Sequence, residues 1–145
     1  MSYFEDRDLA PDPNDDDEAY WANCAQRRLT FQQCGACKTV THPPISVCPH
    51  CQSLDRGWIE APTEATVFSF TWIHSAAHDS VTRSLPYNVV VVEFPSLPSV
   101  RLISNVVDAE PTSLHIGDAL TMVWEDIGGG ILLPRFRLAA DSKWS

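Results

Sequence analysis

Residues 34–51 read CGACKTVTHPPISVCPHC and place four cysteines in two CxxC pairs that are separated by ten residues. Each pair can present two thiolates from one tight turn, and four thiolates satisfy tetrahedral zinc without leaving a position for water or substrate. The separation is shorter than the usual spacing of roughly fifteen to twenty residues, but Pro43-Pro44 supplies a turn inside it. The motif therefore predicts a structural zinc ribbon with Cys34, Cys37, Cys48 and Cys51 as the ligands.

Other uses of these cysteines are less well supported. Two disulfides would need an oxidising compartment, and the chain shows no secretory signal. One CxxC pair is typical of a redox site, whereas two pairs at ribbon spacing favour a metal. Iron remains an alternative because four-sulfur geometry suits zinc or iron, although Lys38 and Gln52 stand where such turns usually carry glycine. The fifth cysteine, Cys24, is predicted to be a small buried apolar side chain on a helix.

Negative charge is concentrated at the N-terminus of this 145-residue chain, whose formal net charge is −9. Residues 1–18 hold eight acidic residues and one basic residue, so this segment contributes −7 and the rest of the chain only −2. Acidic, proline-containing sequence of this kind predicts a disordered tail. The N-terminus lacks the basic and apolar parts of a signal peptide, and the longest apolar run, residues 89–92, is too short to span a membrane. We therefore expect a cytoplasmic protein without a membrane segment.

Residue patterning divides the chain into five segments. A tail at 1–15 precedes a helix at 16–30, whose first turn is acidic and whose apolar residues recur at helical spacing. The zinc ribbon occupies 31–56, the segment 57–140 contains five strand-like runs, and 141–145 forms a short tail. The runs are Thr66–Ile73, Tyr87–Phe94, Val100–Val107, Ala119–Glu125 and Ile131–Leu138. Five such strands without a long helix between them predict a small closed barrel of the OB-fold type. The valines at 89–92 are expected to be buried on both faces of their strand.

The order of several local features resembles a known protein family. These features are the pair Tyr20-Trp21 on the helix, Pro43-Pro44 before the second cysteine pair, the strand Val67–Thr71, Pro86-Tyr87 entering a valine-rich strand, Leu114–Asp118, and Phe136 on the last strand. In this order they resemble the zinc-ribbon and OB-fold acyl-CoA-associated family, long known only as a domain of unknown function, over about residues 16–138. The resemblance implies a mainly β protein with an N-terminal helix, a rubredoxin-like zinc ribbon and a five-stranded OB-fold barrel.

The same resemblance implies a function and partners. Members of the family are partner subunits of thiolase-fold enzymes. The implied role is a non-catalytic accessory subunit of a heteromeric enzyme that acts on acyl-CoA thioesters, such as a steroid side-chain retro-aldolase or an acyltransferase or thiolase complex. The subunit would stabilise its partner and help to form the acyl-CoA path, in a two-plus-two heterotetramer. Tyr20 and Trp21, taken as exposed aromatic residues, are predicted at the partner interface because aromatic residues are enriched in binding hot spots.

The sequence offers little that could perform catalysis. No GxSxG, P-loop or GxGxxG motif is present, so the chain is predicted not to be an enzyme on its own. His74 and His78 are predicted to be loop histidines at the barrel rim that could face a ligand. Arg135 and Arg137 alternate on the last strand and should share a face, which makes them candidates for contacting an acyl-CoA, the other ligand expected besides Zn²⁺.

A nucleic-acid-binding module is the alternative function, because zinc ribbons and OB-folds often bind nucleic acids. Phe68, Phe70 and Trp72 could stack on bases. Phosphate contacts dominate such binding and require a basic surface. The body of this chain is nearly neutral and its tail is acidic, so the charge distribution disfavours nucleic acid as a partner.

Overall fold

A computed structural model describes residues 10–140, apart from the side chains of Ser80 and Arg83. Most of the predicted acidic tail, residues 1–9, and the predicted C-terminal tail, residues 141–145, lie outside this range. The described chain is mainly β, as predicted, with one α-helix, eight strands and a 3-10 turn at Asp79–Ser84. The elements are α1 (Glu18–Ala25), β1 (Thr30–Cys34), β2 (Val40–Thr41), β3 (Arg56–Glu60), β4 (Ala65–Ile73), β5 (Tyr87–Glu93), β6 (Arg101–Ser104), β7 (Ala119–Asp126) and β8 (Leu132–Leu138). No helix in residues 10–140 has the length and apolar character needed to cross a bilayer.

Helix α1 occupies only part of the predicted 16–30 segment. It ends because the Arg27 N–H donates to the Cys24 carbonyl at 2.8 Å and the Arg28 N–H donates to the Asn23 carbonyl at 3.0 Å. This pair of hydrogen bonds is the Schellman arrangement, in which the residue after the C-cap is left-handed and is usually glycine. Here Arg27 takes that place with a φ of 60°. The sequence shows no glycine to mark the end, so the predicted helix was too long.

The ribbon is a three-stranded antiparallel sheet in the order β2-β1-β3. The pairing of β1 with β3 runs from Thr30 opposite Glu60 to Cys34 opposite Arg56. Strand β3 was not among the predicted strands, and it continues the ribbon sheet to Glu60. The first cysteine pair therefore begins at the end of a strand that is hydrogen-bonded on both edges.

The second sheet has five antiparallel strands in the order β6-β5-β4-β7-β8, which correspond to the five predicted runs. A register shift between Val67 and Ser69 interrupts the β4–β5 pairing, and such bulges increase strand twist and bending. The sheet curls until the segment after β6 meets β8. There the Val107 N–H donates to the Phe136 carbonyl at 2.7 Å, and the Phe136 N–H donates to the Asn105 carbonyl at 3.0 Å. These contacts bridge the two ends of the curled sheet, which forms a half-barrel that matches the predicted OB-fold.

One apolar core joins helix, ribbon and curled sheet. Phe31 of the ribbon and Phe94 after β5 are fully buried, and their rings meet at 5.3 Å between centroids. On β5, Val90 and Val92 are fully buried, whereas Val89 and Val91 are only partly buried. The expectation that these valines are buried on both faces was therefore wrong, because an antiparallel sheet can leave one face towards solvent.

Candidate functional site

The four predicted metal ligands converge on one point. All four Sγ atoms lie within 4.8 Å of one another. The Cys34–Cys51 and Cys37–Cys48 Sγ pairs are each 3.6 Å apart. Because zinc–sulfur bonds are about 2.3 Å long, a tetrahedral site has sulfur–sulfur edges of about 3.8 Å. The cluster therefore has the dimensions of a four-cysteine zinc site.

Two matching turns present these sulfurs. The Lys38 N–H donates to the Cys34 carbonyl at 3.0 Å, and the Gln52 N–H donates to the Cys48 carbonyl at 2.9 Å. Lys38 and Gln52 have φ values of 65° and 64°, so each occupies the left-handed position at which these turns usually have glycine. Backbone N–H groups of the turns point at the sulfurs, with the Cys37 N–H at 3.5 Å from Cys34 Sγ.

Gly35 lets the first turn approach the chain that follows the second. Its N–H donates to the Asp55 carbonyl at 2.7 Å. A Cβ atom at Gly35 would lie only 2.2 Å from Oδ2 of Asp55. A side chain at this position would therefore require the exposed Asp55 side chain to move.

The cluster favours thiolates, but not four of them at once. The N–H groups of Cys37 and Ala36 donate to Cys34 and lower the pKa of its thiol to about 6. The N–H of Cys51 in the same way lowers the pKa of Cys48. For Cys51, the Ser53 N–H lowers the pKa, but loss of hydration and the neighbouring sulfurs outweigh it and raise the value to about 11. A divalent cation among the sulfurs would remove this mutual repulsion, since metal binding requires deprotonated thiols.

The structure corrects the expectation that Tyr20 is exposed. Its side chain is 5% exposed and contacts the Trp21 ring edge-to-face at 5.0 Å and the His42 ring at 5.3 Å. Burial and a hydrogen bond with Cys24 raise the pKa of the Tyr20 hydroxyl above its usual range. Tyr20 therefore packs α1 against the ribbon, because the side of the helix that carries Tyr20 faces the core. Only Trp21 of the aromatic pair remains partly exposed, and Cys24 is buried as predicted.

A cavity of about 240 Å³ lies beside Trp21, where α1, the ribbon and the curled sheet meet. His42 and Pro43 line one side, and Leu102 and Ile103 line another. Burial lowers the pKa of His42 to about 4, so its ring is neutral near pH 7. Within the described part of the chain, Nδ1 of His42 is buried without a hydrogen-bond partner. Ile103 is 71% exposed and offers an apolar contact beside the cavity.

The two arginines predicted to contact acyl-CoA do not form one basic surface. Arg135 is buried, and its Nε donates to Oε2 of Glu125 at 2.7 Å. Its Nη1 also donates to Oδ1 of Asn105. Arg137 is exposed and lies 3.4 Å from the Asp108 carboxylate. Arg135 on β8 therefore forms a buried ion pair with Glu125 on β7, and its guanidinium serves this contact between the strands.

The predicted histidines and a second cavity complete the candidate sites. His74 and His78 are exposed in the chain between β4 and the 3-10 turn.

A larger cavity of about 360 Å³, which the sequence did not predict, lies beside the end of α1. The chain between β3 and β4 and strand β7 form its other sides. Arg27 and Arg28 line its rim. The adjacent arginines were visible in the sequence, but the apolar wall beside them depends on long-range contacts.

Two family models match this chain. The ChsH2 rubredoxin-like zinc ribbon domain matches residues 21–55, and the ChsH2 C-terminal OB-fold domain matches residues 58–125. A DUF35 domain-containing scaffold protein from Methanothermobacter thermautotrophicus is 30% identical over 111 residues, which cover 74% of this chain and 80% of that protein. A probable enoyl-CoA hydratase alpha subunit from Thermomonospora curvata is 37% identical over 130 residues, which cover 89% of this chain but only 40% of that protein. The chain therefore spans less than half of that relative's length.

Solved structures show the same architecture. A chain of the Ltp2-ChsH2(DUF35) aldolase is similar at a TM-score of 0.81 and 35% identity, over 90% of this chain and 99% of that one. A DUF35 protein of unknown function from Sulfolobus solfataricus is similar at a TM-score of 0.60 and 18% identity, over 84% of each chain. The second similarity supports the fold alone. With its cysteine cluster and curled five-stranded sheet, the chain belongs to the DUF35 family and is built from ChsH2-type zinc-ribbon and OB-fold domains.

Proposed function

We propose that this chain is a non-catalytic accessory subunit of a heteromeric thiolase-fold enzyme that acts on acyl-CoA thioesters. The similarity to a chain of the Ltp2-ChsH2(DUF35) aldolase, over 99% of that chain, is the observation that carries the proposal. A relative described as a scaffold protein supports an assembly role. The complex would act in the cytoplasm, and a steroid side chain or another acyl group would be its substrate.

The cysteine cluster supports a structural role for the metal. Its four sulfurs have the spacing of a closed tetrahedral site, so zinc bound there would have no position left for substrate. Zinc would crosslink the two turns of the ribbon. The ribbon in turn holds Phe31 against Phe94 of the curled sheet, so the metal would fix the orientation of the two domains.

The surface around the 240 Å³ cavity is the proposed partner interface. It combines the partly exposed Trp21, the exposed Ile103 and the half-buried side chain of His42. Hot spots are typically aromatic residues next to well-packed pockets. A cavity of this size is below the range of about 300–1,000 Å³ that is usual for small molecules. It suits one large side chain from a partner, with an apolar body and a polar tip that reaches His42.

Co-purification tests both the role and the interface. The tagged chain is captured from its native lysate, and the proteins that elute with it are identified and weighed by native mass spectrometry. We expect a thiolase-fold enzyme in a two-plus-two complex. Ile103→Glu should reduce recovery of the partner, whereas Ile116→Glu should not, because Ile116 is similarly exposed at 66% but does not line the cavity. Recovery of nucleic acid in place of an enzyme would favour the alternative function and contradict the proposal.

A further inference from the structure

The 360 Å³ cavity has the size of a small-molecule site, and its rim carries charged side chains whereas its inner wall is apolar. Its volume lies within the range of about 300–1,000 Å³ that is usual for ligand pockets. The rim residues Arg27, Arg28 and Thr121 are exposed. The inner wall is apolar and mostly buried, and it includes Leu29, Ala65, Phe94, Leu120, Met122 and Phe136. Such a wall favours an apolar group that enters from the rim, because burial removes apolar surface from water.

The rim carries one positive charge that is not neutralised within the described chain. Arg28 lies 2.6 Å from the Glu60 carboxylate, so these two charges offset each other. Among residues 10–140, no ion pair involves Arg27. The rim is therefore complementary to a single negative charge, and Arg27 is the residue available to bind it.

The identity of residue 27 is not explained by the fold. Arg27 occupies the left-handed position after α1 with a φ of 60°, where glycine is preferred because it has no Cβ. An arginine at this position lowers stability relative to glycine, and strained residues of this kind are frequent at functional sites. Compared with glycine, the arginine therefore adds a guanidinium group at the rim of the cavity.

From this arrangement we propose that the cavity binds a free aliphatic carboxylic acid, with its chain against the apolar wall and its carboxylate at Arg27. The apolar wall and the positive charge belong to the same cavity, so the ligand needs an anionic group attached directly to its chain. An acyl-CoA would place a neutral thioester at the rim and its phosphates elsewhere. This binding site goes beyond the proposed partner role and does not depend on it.

Calorimetric titration of the full zinc-loaded chain tests the site with decanoate, decanol and decanoyl-CoA. Decanoate should bind at one site. Arg27→Gly should weaken decanoate binding by roughly fivefold, as expected for one exposed ion pair, while decanol binding stays unchanged and thermal stability rises. Lys38→Gly is the matched control, because it removes one positive charge at another left-handed residue that does not line the cavity. It should leave the decanoate Kd unchanged.

A second variant tests the cavity itself. Thr121→Trp places a bulky side chain at an exposed rim position and should abolish binding of both decanoate and decanol. The proposal is overturned if decanoate does not bind saturably, or if Arg27→Gly and Lys38→Gly weaken it equally. It is also overturned if decanoyl-CoA binds more tightly than decanoate and with the same dependence on Arg27. These titrations need no partner protein, so their failure is distinguishable from failure of the proposed partner role.

Discussion

Asn88 holds the closure of the curled sheet, and its replacement should destabilise the protein strongly. The side chain is fully buried on β5. Its Nδ2 donates to the Val106 carbonyl at 2.7 Å, and its Oδ1 accepts from the Val106 N–H at 2.7 Å. Val106 lies in the segment that bridges to Phe136 on β8. One side chain thus fixes the backbone that joins the two ends of the sheet.

The magnitude follows from the hydrogen bonds that Asn88→Leu removes. The Val106 N–H would lose its acceptor at a fully buried position, and such a loss costs about 1–3 kcal/mol. Loss of the bond from Nδ2 adds about 1 kcal/mol. Leucine offers apolar contacts but cannot replace either bond. We expect the free energy of unfolding to fall by about 2–4 kcal/mol, and Tm to fall by about 5–15 °C for a chain of this size.

Urea unfolding of the zinc-loaded protein, followed by tryptophan fluorescence, measures this change. Asn23→Leu is the matched control. Its Nδ2 donates to Oγ1 of Thr30 at 3.0 Å in a partly buried position, so the loss should be below about 1 kcal/mol. If Asn88→Leu lowers the free energy of unfolding by no more than Asn23→Leu does, then Asn88 does not hold the two ends of the sheet together.

Three further predictions concern the ribbon. Burial lowers the pKa of His42 to about 4, whereas the value is about 6.5 in the unfolded chain. Between these pH values the unfolded chain binds the extra proton, so the free energy of unfolding should rise with pH by up to about 3 kcal/mol. Urea midpoints at pH 4.5 and 7 test this, and His42→Gln should reduce the pH dependence; an unchanged dependence would show that His42 is not its source. Gln52→Gly should raise the free energy of unfolding by about 0.5–1 kcal/mol, because glycine adopts a φ of 64° without strain; a lower urea midpoint would show that the Gln52 side chain stabilises the turn. Gly35→Ala should weaken zinc retention in a chelator competition, because the Cβ of the alanine meets the Asp55 carboxylate. Adding Asp55→Ala to this variant should restore zinc retention, and failure to do so would locate the defect elsewhere in the turn.

The cysteine cluster and the strands of the curled sheet were predictable because their signals are local. Two CxxC pairs determine four sulfurs within a short segment, and runs rich in β-branched residues determine strands. The burial of Tyr20 was not predictable, since the short helix α1 could turn either face towards the ribbon. The early end of α1 was not predictable either, because Arg27 adopts the left-handed conformation at a position where glycine is usual.

Long-range pairing produced the other differences. Strand β3 exists because residues 56–60 pair with β1, and nothing within that short stretch requires a strand. Arg135 was expected at a ligand because its alternation with Arg137 was visible, whereas its partner Glu125 lies on another strand. The 360 Å³ cavity likewise depends on the packing of α1 against distant segments.

Turnover of an acyl-CoA substrate by the co-purified thiolase-fold partner is the most direct test of the proposed accessory role. The assay compares this chain alone, the partner alone, and the two together, each at the same concentration. The proposed accessory role predicts no turnover by this chain alone and faster turnover by the mixture than by the partner alone. Turnover by the isolated chain at the rate of the mixture, or a partner whose rate is unchanged by this chain, would contradict it.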